Sequence, residues 1–289
     1  MKSRLQEGSN SAKLSPAIAD MIFGKSSKGQ MQDLKKILLI IPCFNEDSRI
    51  EISKFVSGAA RCRELNVQID YLFSNDGSSD NTKKILNDLC NKNANFHCYH
   101  LEINAGKGNA IQEAYQRKKS ELNFSSYDWI GYWDADLATP LDEIPGMLSY
   151  LEFYKDRVIS SVWGSRVSRL GSRIKRQLHR HYLGRIFVTL VSMVLKVKAY
   201  DSQCGAKLFT PSAAEIAFQE PFLSRWIFDV EILLRLKEES IIEYPLFNWE
   251  DMPGSKVKVF QEIGKVGWDI LKIRKKYKDT IDRNMPSQI

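Results

Sequence analysis

The sequence predicts an α/β fold on a mainly parallel central sheet, and three observations carry that prediction. Short β-branched apolar runs alternate with segments of helical periodicity through the first half of the chain. The first run, "KKILLIIPCFNE", is apolar on both faces, as a strand covered by helices on both sides must be. Polar, glycine-containing clusters follow the runs directly, where an open parallel sheet gathers ligands beyond the carboxyl ends of its strands.

In order along the chain, residues 1–34 are polar with little periodicity and read as a mobile tail ahead of one domain over 35–255. The first strand ends near Pro42 and passes through Phe44, Asn45 and Glu46 into a helix expected from about Ser48 to Glu64. "QIDYLFSNDGSSD" is a second strand with a turn at Asn75, Asp76 and Gly77, and Ser79 or Asp80 can cap the helix that runs to Cys90. "NFHCYHLEI" is a third strand, with a helix after "NAGKGNA". "YDWIGYWDAD" is a fourth, before a helix near Leu141–Tyr154, and "VISSVWGSR" a fifth. Residues 256–289 read as a basic amphipathic helix and tail: Val259, Ile263, Val266, Ile270, Ile273, Tyr277 and Ile281 recur every three or four positions among lysines. Such a helix covers a sheet face, and a basic one can also touch a membrane surface.

At 289 residues, 43% hydrophobic and 27% charged, the composition is that of a globular protein. Five cysteines without C-x-x-C spacing suggest reduced thiols in a cytoplasmic setting. The start lacks a signal-peptide core, and no run approaches the roughly 18 apolar residues that span a bilayer. The net charge of +7 is concentrated. Nine Lys/Arg and no Asp or Glu lie between Ser161 and Tyr200; without those nine, 33 basic residues face 35 acidic ones. A block of this kind suits phosphates, nucleic acid or an anionic membrane.

Asp134 and Asp136 carry the sharpest chemical signal. Residues two apart on an extended backbone point to one side, so both carboxylates face one point and call for a cation. Mg²⁺ or Mn²⁺, shared with substrate phosphates, suits such hard oxygen donors. "NAGKGNA" places Gly106, Lys107 and Gly108 at a helix start, either as an anion cradle or as a plain glycine turn. Asn75 and Asp76 can accept from a base or ribose, and Asp80 leaves Asp76 without a capping duty. The block with Arg166, Arg180 and Arg185 precedes an apolar stretch at Ile186–Leu195, which is either a core helix or one lying at a membrane interface.

"PCFNE", "NDGSSDNT", "NAGKGNA", "DADLATP", "GSR", "DSQCGAKLF", "RWIFDVEIL" and "NWEDMPGSKV" occur in this order over about residues 35–280. Together they resemble the inverting family 2 glycosyltransferases of the Rossmann-like GT-A fold, and within them the dolichyl-phosphate β-glucosyltransferase branch near the mannose synthases. The resemblance implies a UDP-sugar donor (glucose), Mg²⁺ or Mn²⁺, and a polyprenyl-phosphate acceptor. It implies that Pro42, Phe44, Asn45 and Glu46 form the nucleotide loop, and that Asn75 and Asp76 read the base, with Asn in place of the first acid. The loop of Gly106, Lys107 and Gly108 joins the donor site, and Asp134 and Asp136 are the metal motif. Arg166 and Arg180 match the acceptor-phosphate arginines, with Arg185 beside Gly184, which replaces a serine. Asp229 joins Asp134 and Asp136 among the catalytic candidates, in a donor-sugar or structural role. Eukaryotic members carry an N-terminal anchor where this chain has a polar tail, so an enzyme peripheral to the cytoplasmic face of a membrane is expected, held by an anionic surface. A rival within the fold transfers to a sugar hydroxyl with Asp229 as base. A remoter one is a nucleic-acid binder, which leaves the carboxylate pair unexplained and has mainly Trp163, Tyr182 and Phe187 for stacking; no nucleic-acid partner is expected.

Overall fold

The computed structural model describes residues 33–175, 189, 191–251 and 259–283, with side chains from Val266 to Asp282 in the last stretch. The apolar run at the start forms β1 (Lys35–Cys43), followed by α1 (Ile52–Glu64), β2 (Val67–Asp76), α2 (Thr82–Lys92), β3 (Phe96–Leu101) and α3 (Lys107–Lys118). Next come β4 (Trp129–Trp133), α4 (Glu143–Tyr150), β5 (Ser161–Ser165), β6 (Arg173–Lys175), β7 (Ala206–Phe209), α5 (Pro211–Ala217) and α6 (Phe228–Arg235). The described elements close with β8 (Ile241–Pro245), β9 (Asn248–Glu250), α7 (Val259–Lys276) and α8 (Lys278–Arg283).

Seven strands form the main sheet in the order β3-β2-β1-β4-β7-β5-β8. β1 runs parallel to β2 and β4, β2 to β3, and β5 to β8, while β7 is antiparallel to both its neighbours. The carboxyl ends of β1, β2, β3 and β4 therefore share one edge. β1 lies at the centre: Ile37 to Ile41 are fully buried, with Leu38 and Ile40 in the apolar cluster on one face and Ile37, Leu39 and Ile41 in that on the other. Each such side chain contributes about 1.5–3 kcal/mol on burial, so this strand anchors both layers.

Three elements differ from the sequence reading. α1 begins at Ile52, because residues 44–51 are held as a loop. The Glu46 carbonyl accepts from the Arg49 and Ile50 amides, Asn45 has φ 53°, and the loop is stitched to the one after β2 by Asn45 N–Ser78 Oγ (2.9 Å) and Glu46 N–Thr82 Oγ1 (2.7 Å). β7 inserts antiparallel between β4 and β5, and the short parallel pair β6–β9 lies apart from the main sheet. The N-cap of α2 is Asn81, which makes no side-chain cap bond; Asp80, one residue earlier, accepts from the Thr82 amide at 3.0 Å.

The choice left open for the C-terminal helix is partly answered. Val266, Ile273 and Ile281 are buried in the core, with Ile270 and Tyr277 packed against it, so the apolar stripe covers the sheet's helix layer. Val191 and Leu195, at the end of the apolar stretch after the basic block, are core residues too. All five cysteines are free thiols.

Candidate active site

β4 delivers Asp134 and Asp136 to the shared edge through a tight turn, in which the Leu137 amide donates to the Asp134 carbonyl (3.1 Å) and Leu137 takes φ 50°. The Asp134 amide donates to the Gly205 carbonyl at 3.0 Å. A Cβ at Gly205 would fall on the Asp134 carboxylate, so only glycine lets the chain before β7 pass this close. Asp136 Oδ1 accepts from the Ala138 amide (3.0 Å). Burial first, and then the charge of Asp134, push its pKa above the ordinary carboxylate value, against the pull of that amide and of Lys107. Two carboxylates are thus crowded into one half-buried place.

In this structure their counter-ion is a lysine. Lys107 Nζ lies 2.5 Å from Asp134 Oδ1 and 5.7 and 5.9 Å from the ring centres of Tyr132 and Phe228. Burial works against its charge, but Asp134 and then Asp229 outweigh that and hold the ammonium protonated to higher pH than usual. Lys107 opens α3 directly after Gly106, whose φ of 89° and close approach to Arg225 (2.7 Å from a Cβ placed there to Nε) both require glycine.

The position of that loop is set by Asp76. Its carboxylate accepts from the Ala105 amide (2.6 Å), the Gly106 amide (2.9 Å) and Asn104 Nδ2 (2.8 Å). The sequence reading left Asp76 without a structural duty; the structure gives it one, as the clamp that presents Lys107 to Asp134. Burial raises the Asp76 carboxyl above its usual range, and the two amides offset this in part. Asn75 Oδ1 accepts from the Ser78 amide (3.2 Å), Glu46 pairs with Arg49, and Phe44 is exposed at the rim beside the half-buried Pro42. Pro42 to Glu46, Asn75, Asp76, Gly106 to Gly108, Asp134 and Asp136 therefore converge on one edge of the sheet.

The charged residues of the second half are partnered differently. Asp229, on α6, is 4% exposed, and its Oδ1 accepts from Lys207 Nζ (2.6 Å) and from the Tyr132 hydroxyl. Lys207, fully buried in β7, also donates to the Ser202 and Cys204 carbonyls (2.8 and 2.7 Å) and lies 4.3 Å from the Trp163 ring centre. Arg166 grips Asp201 through Nε (2.6 Å) and Nη2 (2.7 Å), over the face of Trp249 at 5.3 Å. Arg180 and Arg185 lie outside the described residues. Sequence reasoning missed Lys207, Asp201 and Arg225; a lone lysine inside the apolar run "AKLF" was the available signal, since a cation buried there needs an acid.

Among the described residues no three His, Cys, Asp or Glu side chains come together to hold a metal. The two carboxylates alone fit a hard divalent cation that completes its shell with oxygens of a substrate, and their crowding is what such a cation relieves.

A match to Glycosyl transferase family 2 spans residues 38–215. The chain belongs to that family. Its relatives include the dolichyl-phosphate beta-glucosyltransferase of Dictyostelium discoideum, 28% identical over 83% of this chain and 74% of that protein. The human dolichyl-phosphate beta-glucosyltransferase is 28% identical over 88% of this chain and 82% of its own length. Among solved structures, glucosyl-3-phosphoglycerate synthase of Mycobacterium tuberculosis, with Mn²⁺ and UDP bound, superposes with a TM-score of 0.55 at 15% identity, covering 84% of this chain and 80% of that one. Mannosyl-3-phosphoglycerate synthase of Rubrobacter xylanophilus gives 0.57 at 12% identity, over 89% and 77%. The fold is that of the GT-A glycosyltransferases, as the motifs implied.

Proposed function

We propose that this family 2 transferase moves glucose from UDP-glucose to a dolichyl-type polyprenyl phosphate, inverting the anomeric carbon, at the cytoplasmic face of a membrane. The dolichyl-phosphate beta-glucosyltransferases among its relatives support the donor sugar and the acceptor class. The observation that carries the choice of acceptor is the state of Asp229. A hydroxyl nucleophile needs a base that can take its proton within hydrogen-bond reach. Asp229 is nearly sealed, with one oxygen accepting from an ammonium and a phenol. A phosphate monoester is largely ionised near neutral pH and needs no such base.

In this reading an oxygen of the acceptor phosphate forms the new bond to the anomeric carbon as the bond to the UDP oxygen breaks, and UDP departs with the electron pair. Asp134 and Asp136 would hold Mg²⁺ or Mn²⁺, which when bound supplies Lewis-acid stabilisation of the departing diphosphate. Lys107, which neutralises Asp134 in this structure, would donate to phosphate oxygens of the donor. The amides at the start of α3 favour the same anion. Pro42, Phe44, Asn45 and Glu46 with Asn75 form the nucleoside side, which Asp76 braces. Arg166 turns one edge of its guanidinium to Asp201, and its acceptor-phosphate role belongs to the other edge, with Arg180 and Arg185. Asp229 keeps Lys207 and Tyr132 in place beside the metal motif. The test is to incubate the chain with radiolabelled UDP-glucose, Mn²⁺ and, as competing acceptors, dolichyl phosphate and a hydroxyl-bearing glycan in detergent. Label should enter the organic phase; label found only on hydroxyl-bearing glycans would overturn the assignment.

A further inference from the structure

α7 has two apolar sides, and only one of them is used by the core. Val266, Ile270, Ile273 and Tyr277 line the inward face. At 3.6 residues per turn, Trp268 falls opposite that face, with Leu271 one turn along. Trp268 is 62% exposed and Leu271 56%. A tryptophan turned away from the core needs a reason, because its exposed ring sacrifices a large transfer free energy. Its surroundings are basic: from 268 to 278 the helix and its continuation carry Lys272, Arg274, Lys275, Lys276 and Lys278, all exposed, against Asp269 alone. Lys276 is paired with Glu220 (2.9 Å), and Asp269 is turned to Ser224 Oγ (2.8 Å) with Lys272 3.5 Å away.

The contact between Asp269 and Ser224 ties this face to the candidate active site. Ser224 begins the loop that carries Arg225, and the Arg225 guanidinium reaches the side-chain oxygen of Asn104, beside the loop clamped by Asp76. Asp269, next to Trp268 on the helix, is thus linked through Ser224 to the residue beside it, Arg225.

The geometry points to the outward face of α7, centred on Trp268 and Leu271, as the surface by which the enzyme docks on an anionic lipid bilayer. This names the docking face for the lipid-acceptor reading above and takes its purpose from it. Indole and leucine side chains enter the boundary between headgroups and acyl chains, while the lysines around them meet lipid phosphates. A second copy of the chain suits the face poorly, because a two-fold contact would bring the five cations of 268–278 together against only Asp269, Asp279 and Asp282. No helix among the described residues is long and apolar enough to cross a membrane.

The experiment measures cosedimentation of the full chain with phosphatidylcholine vesicles, with and without phosphatidylglycerol, at low and high salt. The wild-type chain should bind only the anionic vesicles and weaken with salt. Trp268→Ala with Leu271→Ala should lower the partition by about tenfold or more. Lys272→Glu with Lys275→Glu should lower it by roughly fivefold or more per charge and flatten the salt dependence. Urea unfolding should be unchanged in both, since the four side chains are exposed. Vesicle binding unaltered in the Trp268/Leu271 variant would overturn the proposal. So would a wild-type dimer in vesicle-free solution that this variant converts to monomer, which assigns the face to self-association. Transfer assayed separately in detergent keeps the two readings apart. A chain that docks through Trp268 and Leu271 but never labels lipid phosphate upholds the docking face and sinks the acceptor reading.

Discussion

The two halves of the sheet treat buried charge in opposite ways. Around β1, β2 and β4, carboxylates gather at one open edge, where Asp134 and Asp136 share a single lysine and Asp76 spends its oxygens on backbone amides. Around β5, β7 and α6, each charged side chain has an opposite partner inside the protein: Lys207 with Asp229, Arg166 with Asp201, and Arg235 with Glu231 at 3.7 Å. The first arrangement leaves negative charge to be completed by a ligand. In the second the charge is balanced inside the protein and, apart from Arg166, whose other edge is assigned to the acceptor phosphate, the pairs serve as scaffold, since a buried pair is costly chiefly when one partner is removed. Charged residues therefore need to be sorted by what balances them, and type and spacing alone do not do this.

Substitutions test that contrast, from the largest expected effect to the smallest. Asp136→Asn should lower turnover by about a hundredfold or more at saturating Mn²⁺, while the protein stays folded by circular dichroism. In the scaffold half the pattern should reverse. Lys207→Met strands Asp229 without its cation and should cost about 3–5 kcal/mol in urea unfolding. Lys107→Met removes the resident counter-ion of Asp134. Mn²⁺ binding by the substrate-free chain, followed by electron paramagnetic resonance, should tighten by roughly tenfold, while UDP-glucose affinity falls. The exposed pair of Lys119 and Glu215 (2.7 Å) is the control. Its hydrogen bond from Lys119 lowers the Glu215 carboxyl below its ordinary value. The stability it adds is present above that ordinary value and lost as pH falls through the lowered one. Glu215→Gln should therefore cost less than about 1 kcal/mol at neutral pH and nothing in acid.

The open half was legible because its signals are local. A β-branched run, a turn rich in Asn, Asp and Gly, and two carboxylates one residue apart each state their structure within a dozen positions. The start of α1 was not, because the loop at 44–51 is fixed by bonds to Ser78 and Thr82, more than thirty residues away. The duty of Asp76 was hidden for the same reason, as its partners are Asn104 to Gly106 on the next crossover. In the scaffold half, β7 is four residues long with a lysine inside it, too short and too polar in pattern to read as a strand. Arg166 matched a motif by position, yet the acid that holds it is 35 residues downstream. The C-terminal helix shows both limits together. Its core stripe was visible as periodicity, whereas Trp268 gains meaning only once the inward face is known.

Asp229→Asn, assayed on dolichyl phosphate, tests the central claim most directly. Asparagine keeps an oxygen for Lys207 and Tyr132 but cannot act as a base. If Asp229 belongs to the scaffold and the acceptor is a phosphate, turnover should stay within about tenfold of the wild type, and the pH profile should keep its shape. A loss as deep as that of Asp136→Asn, in a folded variant that still binds UDP-glucose normally, would contradict the account and make Asp229 the base of a hydroxyl-directed transferase.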